Sequence, residues 1–101
     1  MAAYIGAQLD VKNTDWQQEY GPQAGALVQK RGGKVLAGAG STRERLEGKG
    51  QLPSVMCLLA FPSLEQAKAW DHDPEYAHLI HVRQTGAAAN MVVLTESPST
   101  L

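Results

Sequence analysis

The sequence predicts an α+β fold, a ferredoxin-like split βαβ unit built on an antiparallel sheet. Three observations point there. AYIGAQLDV, residues 3–11, alternates strictly, with Ala3, Ile5, Ala7, Leu9 and Val11 on one side and Tyr4, Gly6, Gln8 and Asp10 on the other. That is the period of a strand with one face buried. SVMCLLAF, residues 54–61, is a continuous apolar run of strand length and reads as a central strand. The elements then fall in the order β-α-β-arm-β-α-α-β. Helices cover one face of such a sheet, and the other face needs a partner, commonly a second copy.

The first helix is expected from TDWQ, where Thr14 and Gln17 have capping-box spacing. Trp16, Tyr20, Ala24, Leu27 and Val28 keep to one helical face. Gly21-Pro22 predicts a kink or restart, because proline removes a backbone donor and crowds the preceding turn. Gly32-Gly33 stops the helix. KVLAGAG, residues 34–40, is a second strand weakening into glycine. STRERLEGKG reads as an exposed arm with a solvated charged face, and QLP as a linker. Ser63 and Gln66 repeat the capping-box spacing and open a helix to about Asp71, with Leu64, Ala67 and Trp70 buried. Asp73-Pro74 caps and starts a third helix, ended by Gly86. ANMVVLTE, residues 89–96, is the last strand, and SPSTL is a frayed, flexible tail. The 101 residues form one domain with an ordered core over about 3–96.

Composition excludes several function classes. Nine basic against ten acidic residues give no basic stripe, so nucleic acid and anionic membranes are poor partners. No stretch has the length of a spanning helix or the pattern of a signal peptide, so a cytoplasmic protein is the default. One cysteine, Cys57, allows no internal disulfide and packs best as a small hydrophobe. It has no histidine nearby in sequence to make it a nucleophile. No Walker loop, dinucleotide fingerprint or nucleophile elbow occurs, and no cofactor is implied. At 44% hydrophobic residues a core is available, although burial at this size is only moderately efficient and a dimer would help.

DHDPEYAHLIH, residues 71–81, holds all three histidines. With Asp73 at the N-cap, Tyr76, Leu79, Ile80 and Arg83 share one helical face. His78 and His81 fall on roughly the opposite side. Two histidines at that spacing lack a third ligand, so no metal site is expected. His72 stands at a helix junction, where helical phase does not force it outward. It is either a surface or capping group, or a proton-transfer group facing a cavity.

FPSLEQAKAW, DPEY and Arg83, with Gly32-Gly33 and Leu46-Glu47-Gly48 upstream, resemble the DUF1330 family over residues 3–96. That family is similar to the dimeric α/β-barrel superfamily. The resemblance implies a homodimer with two sheets packed face to face around a cavity. It implies no reaction, since the superfamily includes cofactor-free monooxygenases, haem-degrading enzymes, cyclases and stress proteins. Tyr76 matches the family's DPEY tyrosine and Arg83 its arginine. Family members often carry an Arg where this chain has Gly38, a Trp and an Arg near Gln51 and Val55, and a Glu at Ala60. Where those positions face the cavity, the pocket is larger and less charged, and a neutral or apolar ligand is favoured over a small carboxylate.

The reading that follows is a dimer with an apolar-to-mixed pocket between sheet and helices. It would be a cofactor-independent enzyme doing acid–base chemistry, a cyclisation, isomerisation or elimination, on a largely apolar metabolite. His72 would move the proton, with Tyr76 and Arg83 orienting substrate or stabilising charge. Tyr4, Gln8, Asp10, Trp16 and Trp70 would line the ligand. For each aromatic and for Arg83 the alternative is a packing or ion-pair role. The alternative function is a non-catalytic ligand-binding or stress-related dimer, and a third is haem or oxygen chemistry.

Overall fold

The computed structural model describes residues 1–38 and 40–97. The expected strand over 34–40 and the expected tail each reach residues outside that set. Four strands and three helices follow one another as β1 (Ala3–Val11), α1 (Gln17–Lys30), β2 (Lys34–Ala37), β3 (Val55–Phe61), α2 (Leu64–Asp71), α3 (Pro74–Gln84) and β4 (Ala87–Thr95). The sheet is antiparallel with spatial order β2-β3-β1-β4. This is the α+β, ferredoxin-like arrangement expected from the element order.

The alternation of β1 decides the layering. Ala3, Ile5, Ala7 and Leu9 are buried beneath the helices, as are Leu59 and Phe61 of β3. Against them pack Ala24, Leu27 and Val28 of α1, Ala67 and Trp70 of α2, and Tyr76 and Leu79 of α3. All three helices lie on that one face. The molecule is only 18 Å in its thinnest dimension, about the depth of one sheet and one helix layer.

Two helix starts follow their sequence signals. The Ser63 hydroxyl accepts from the Gln66 amide at 3.2 Å, and the Asp73 carboxylate accepts from the Glu75 amide at 2.9 Å. The first helix departs from expectation. It begins at Gln17, with Trp16 at the N-cap and no side-chain cap. Asn13 takes the local role instead, its side-chain oxygen accepting from the Asp15 amide at 3.3 Å. Its own backbone amide and that of Lys12 both donate to the Gly86 carbonyl, at 3.2 and 2.6 Å. This clasp ties the exit of β1 to the turn before β4, so residues 12–15 are held as a turn and the helix starts later. Nor does α1 restart at Pro22. The helix runs through it, and the proline faces solvent, where water can satisfy the carbonyl one turn back.

Arg31 ends α1, and Gly32 takes a left-handed φ of +75°. Gly33 then passes so close to the core that an added Cβ would sit 2.7 Å from the Phe61 ring and 2.9 Å from Val28. Gly33→Ala is therefore expected to cost about 1–3 kcal/mol by overpacking. Gly21→Ala, in open space within α1, is expected to gain roughly 0.5–1 kcal/mol. Urea unfolding of the two variants checks both signs.

Candidate functional site

Two places gather the residue types from which a site could be built, one on each side of the sheet. The first lies between sheet and helices. Tyr76 is fully buried and Arg83 is 7% exposed. The Arg83 guanidinium donates to the Tyr76 hydroxyl at 3.1 Å and to the Tyr20 hydroxyl at 3.3 Å, and the two phenols share a hydrogen bond of 2.7 Å. The Arg83 guanidinium also lies 5.6 Å from the centre of the Tyr20 ring, within cation–π range. Trp70 stacks on Tyr76 at 4.3 Å between ring centres, and Trp16 meets Tyr20 edge-on at 5.4 Å.

Helical phase placed Tyr76, Leu79 and Arg83 inward, and all three are buried. The space they enter is filled by their own rings and Trp70, and a small hollow of ≈ 120 Å³ lies between sheet and helices at the margin of α2, over Ile5, Ala67 and Met91. Arg83 has no carboxylate partner among the described residues; its charge is met by two phenols, an aromatic face and the carbonyl end of α3. Burial, with the neighbouring Tyr20 adding to it, pushes the Tyr76 phenol far above its ordinary value. Tyr76 is thus a neutral hydrogen-bonding group throughout the physiological range.

His72 does not join this cluster. It is the C-cap of α2, its side chain is 75% exposed, and its Nε2 lies 3.6 Å from the Asp71 carboxylate. The junction leaves the imidazole facing solvent, not a cavity, because Asp73 takes the buried position beside it. Asp73 caps α3 and also accepts from Arg31 at 3.0 Å and Lys30 at 3.3 Å, joining the end of α1 to the start of α3. The Glu75 amide first, then Arg31 and Lys30, hold its carboxyl below the usual range. His78 pairs with Glu19 at 2.8 Å on the outer surface, and His81 is exposed. Among the described residues no three His, Cys, Asp or Glu side chains converge as a metal site would need.

The second place is the bare face of the sheet. Register puts Tyr4, Gly6, Gln8 and Asp10 of β1 opposite Leu94, Val92, Asn90 and Ala88 of β4. On the other flank Tyr4, Gly6 and Gln8 face Ala60, Leu58 and Met56 of β3. Met56 and Leu58 are each 40% exposed, Val92 61% and Leu94 63%. A concavity of ≈ 640 Å³ lies over Gly6, Gln8, Met56, Leu58, Asn90 and Val92. Its wall is the start of the long β2–β3 connection, Ser41 to Glu44. A second hollow of ≈ 370 Å³ adjoins it, sharing Gln8 and Asn90 and bounded by Asp10, Gln51 and Pro53.

So the predicted ligand-lining residues separate. Gln8 lines both hollows. Asp10 borders the second and pairs with Lys12 at 3.0 Å. Tyr4 lies at the far end of the face, its hydroxyl 3.5 Å from Glu96. Trp16 and Trp70 are core residues on the helix side. Asn90, Met56, Leu58, Val92 and Gly6 were not singled out in the sequence. The alternation of ANMVVLTE carries the signal for Asn90 and Val92, but only strand register brings them beside Gln8. Cys57 packs half-buried on the helix side, and burial pushes its thiol up.

Residues 2–97 match the model of the family described as Domain of unknown function (DUF1330). The chain belongs to the DUF1330 family. Solved structures carry the same fold. The RPA0582 protein of unknown function from Rhodopseudomonas palustris superposes with a TM-score of 0.78 at 16% identity, covering 97% of this chain and 84% of that one. SnoaB, a cofactor-independent oxygenase from Streptomyces nogalater, gives 0.68 at 9% identity over 98% and 96%. An uncharacterized NIPSNAP domain protein from Burkholderia xenovorans gives 0.58 at 13% over 97% and 96%. No curated protein matches the sequence. At these identities the likeness is one of fold. No helix among the described residues is long and apolar enough to cross a membrane.

Two outcomes test the helix-side cluster as structure. Tyr76→Phe removes the hydroxyl that joins Tyr20 to Arg83 and is expected to cost about 1–3 kcal/mol in urea unfolding, because Arg83 loses a buried partner. Asp73 has a depressed folded pKa, so its contribution is present above the unfolded value of about 3.9 and is lost as pH falls through the folded one. Asp73→Asn is accordingly expected to flatten the acid limb of the stability–pH curve measured by denaturant unfolding.

Proposed function

We propose that this DUF1330 protein is a homodimer that binds a largely apolar small molecule between two facing sheets. The observation that carries the reading is the bare sheet face. It combines exposed Met56, Leu58, Val92 and Leu94 with a hollow whose floor holds two carboxamides that make no side-chain hydrogen bond among the described residues. A strand face of this kind in water is costly for a lone chain and is the pattern of a contact surface. Four strands about 4.8 Å apart and roughly 20 Å long present on the order of 400 Å² of flat area per copy. Side-chain relief and the arm raise that toward the range of specific interfaces. Contact at the apolar rim, through Leu94 and its neighbours, would leave the hollow over Gly6 enclosed.

A second reading keeps catalysis, as cofactor-independent chemistry on the bound molecule. Its support is the fold shared with SnoaB, described as a cofactor-independent oxygenase. In that reading His72, Tyr76 and Arg83 stand on the helix side of the sheet, away from the open-face hollow. The titratable side chains that border the hollow itself are Arg43, Glu44 and Cys57. Oxygen uptake on presenting candidate substrates separates this reading from simple binding.

Analytical ultracentrifugation of the wild-type chain is expected to give a dimer. Leu94→Lys, which sets a charge on the open face outside the hollow, is expected to give a folded monomer with unchanged circular dichroism. A wild-type monomer at high protein concentration would remove the basis of the proposal.

A further inference from the structure

The floor of the open-face hollow has a more specific shape than an apolar patch. Gly6 lies at its centre, on a central strand of the sheet, flanked by Val92 on β4 and Leu58 on β3. It has no left-handed φ, so no turn geometry requires glycine there. A Cβ added at Gly6 would meet nothing within 4 Å. Glycine in a strand interior weakens the strand, and one use that repays it is close approach of a ligand to the backbone. The missing side chain leaves a flat slot between two aliphatic side chains.

One step along the same face stand Gln8 and Asn90, register partners across β1 and β4. Side chains so placed have Cβ atoms about 4.5–5.5 Å apart. Neither carboxamide makes a side-chain hydrogen bond among the described residues, while Tyr4 and Asp10 on the same strand face both do. Each offers a carbonyl acceptor and an N–H donor, and neither carries charge. Met56, opposite Gln8 on β3, adds a thioether suited to lie against a ring. The charged side chains at this hollow, Arg43 and Glu44, are adjacent on the wall and opposite in sign. The floor itself has no ion to match a charged ligand.

We infer that the hollow takes a flat, uncharged ring compound with its plane against Gly6 and a carbonyl, hydroxyl or amide edge hydrogen-bonded by Gln8 and Asn90. This rests on the proposed binding role of the open face and names the ligand class. Planarity follows from the slot over a Cβ-less residue. Neutrality follows from two carboxamides on a floor that carries no charged side chain, and from a wall whose Arg43 and Glu44 are opposite in sign. The polar edge follows from donors and acceptors that would otherwise lie desolvated in a closed dimer, at a cost that a hydrocarbon ligand could not relieve.

Four probes of related size test it by titration followed by NMR on the intact dimer: 2-naphthamide, naphthalene, 2-naphthoate and cyclohexanecarboxamide. The expected order puts 2-naphthamide about tenfold or more tighter than each of the others, with shifts centred on Gly6, Gln8 and Asn90. Gln8→Leu and Asn90→Leu are expected to erase the preference for 2-naphthamide over naphthalene while retaining ring binding. Gly6→Val is expected to abolish ring binding, keep the dimer and raise the unfolding midpoint, since valine suits a strand better than glycine. A preference for 2-naphthoate overturns the neutral-ligand assignment. An amide preference that survives both leucine variants overturns the role of the carboxamides. Equal binding of cyclohexanecarboxamide overturns the slot. Each of these leaves the binding face itself standing. Probe shifts confined to the helix side, or loss of the dimer in Gly6→Val, overturn the inference together with the reading beneath it.

Discussion

A four-stranded sheet has two faces, and this chain has helices for one. Everything else follows from that constraint. Because β1 and β3 alternate strictly in their pairing, each side chain is committed to the helix side or the bare side, and a slip of one residue would exchange them all. The helix side closes into a dense core of aromatic and aliphatic groups. The bare side keeps Met56, Leu58, Val92 and Leu94 in contact with water. The hydrophobic effect that drives one face to completion is the same force that leaves the other face requiring a cover.

The helix layer handles its polar groups with economy. Arg83 enters the core without a carboxylate, a costly arrangement for a buried cation. Two phenols and a ring face offset part of that cost, and the carbonyl end of α3 attracts the charge. Its Nε and the Trp70 Nε1 still have no partner among the described residues. At the opposite end of α3, Asp73 gathers Lys30, Arg31 and the Glu75 amide. The two polar ties join α3 to α1 near both of its ends, adding to the contacts of a weak hydrophobic stripe. Tyrosine, arginine and tryptophan are residue types also used in active sites. Here they solve a packing problem.

Local chemistry was legible in the sequence and long-range register was not. Alternation in residues 3–11 located both faces of β1, and helical phase from Asp73 placed Tyr76 and Leu79 inward and His78 outward. The start of α1 was misread because Asn13, Thr14 and Asp15 can all cap, and the choice among them was made by Gly86, far along the chain. Pro22 was expected to kink or restart a helix that runs through it, its solvent exposure making it tolerable. His72 sat at a junction where phase gives no direction, and the buried seat there went to Asp73. The pairing of Gln8 with Asn90 joins the first strand to the last, so no local pattern records it. The positions where family resemblance suggested lost charge divide in the same way. Ala60 shares the bare face and Gln51 borders it, whereas Val55 pairs with Leu9 on the helix side.

Residues that lower the stability of a lone chain without structural return are the better guide to function. On the helix side every unusual residue has a structural partner: Gly33 admits Phe61, Gly86 admits Trp16, and Arg83 meets two phenols. On the bare side the unusual residues have none. Gly6 leaves an empty place in a central strand, the Gln8 and Asn90 carboxamides make no side-chain hydrogen bond among the described residues, and Leu94 is exposed. The connection over 38–54 is longer than a hairpin needs, and it carries Leu46 at 97% exposure among charged neighbours. Gly6, Gln8, Asn90 and Leu94 share one face. In the proposed reading their cost is offset by a second copy over the rim and a ligand over the floor. The same argument separates the two sides: the helix side, where the unusual residues pack against one another, is scaffold, and the water-facing side is where binding is to be sought.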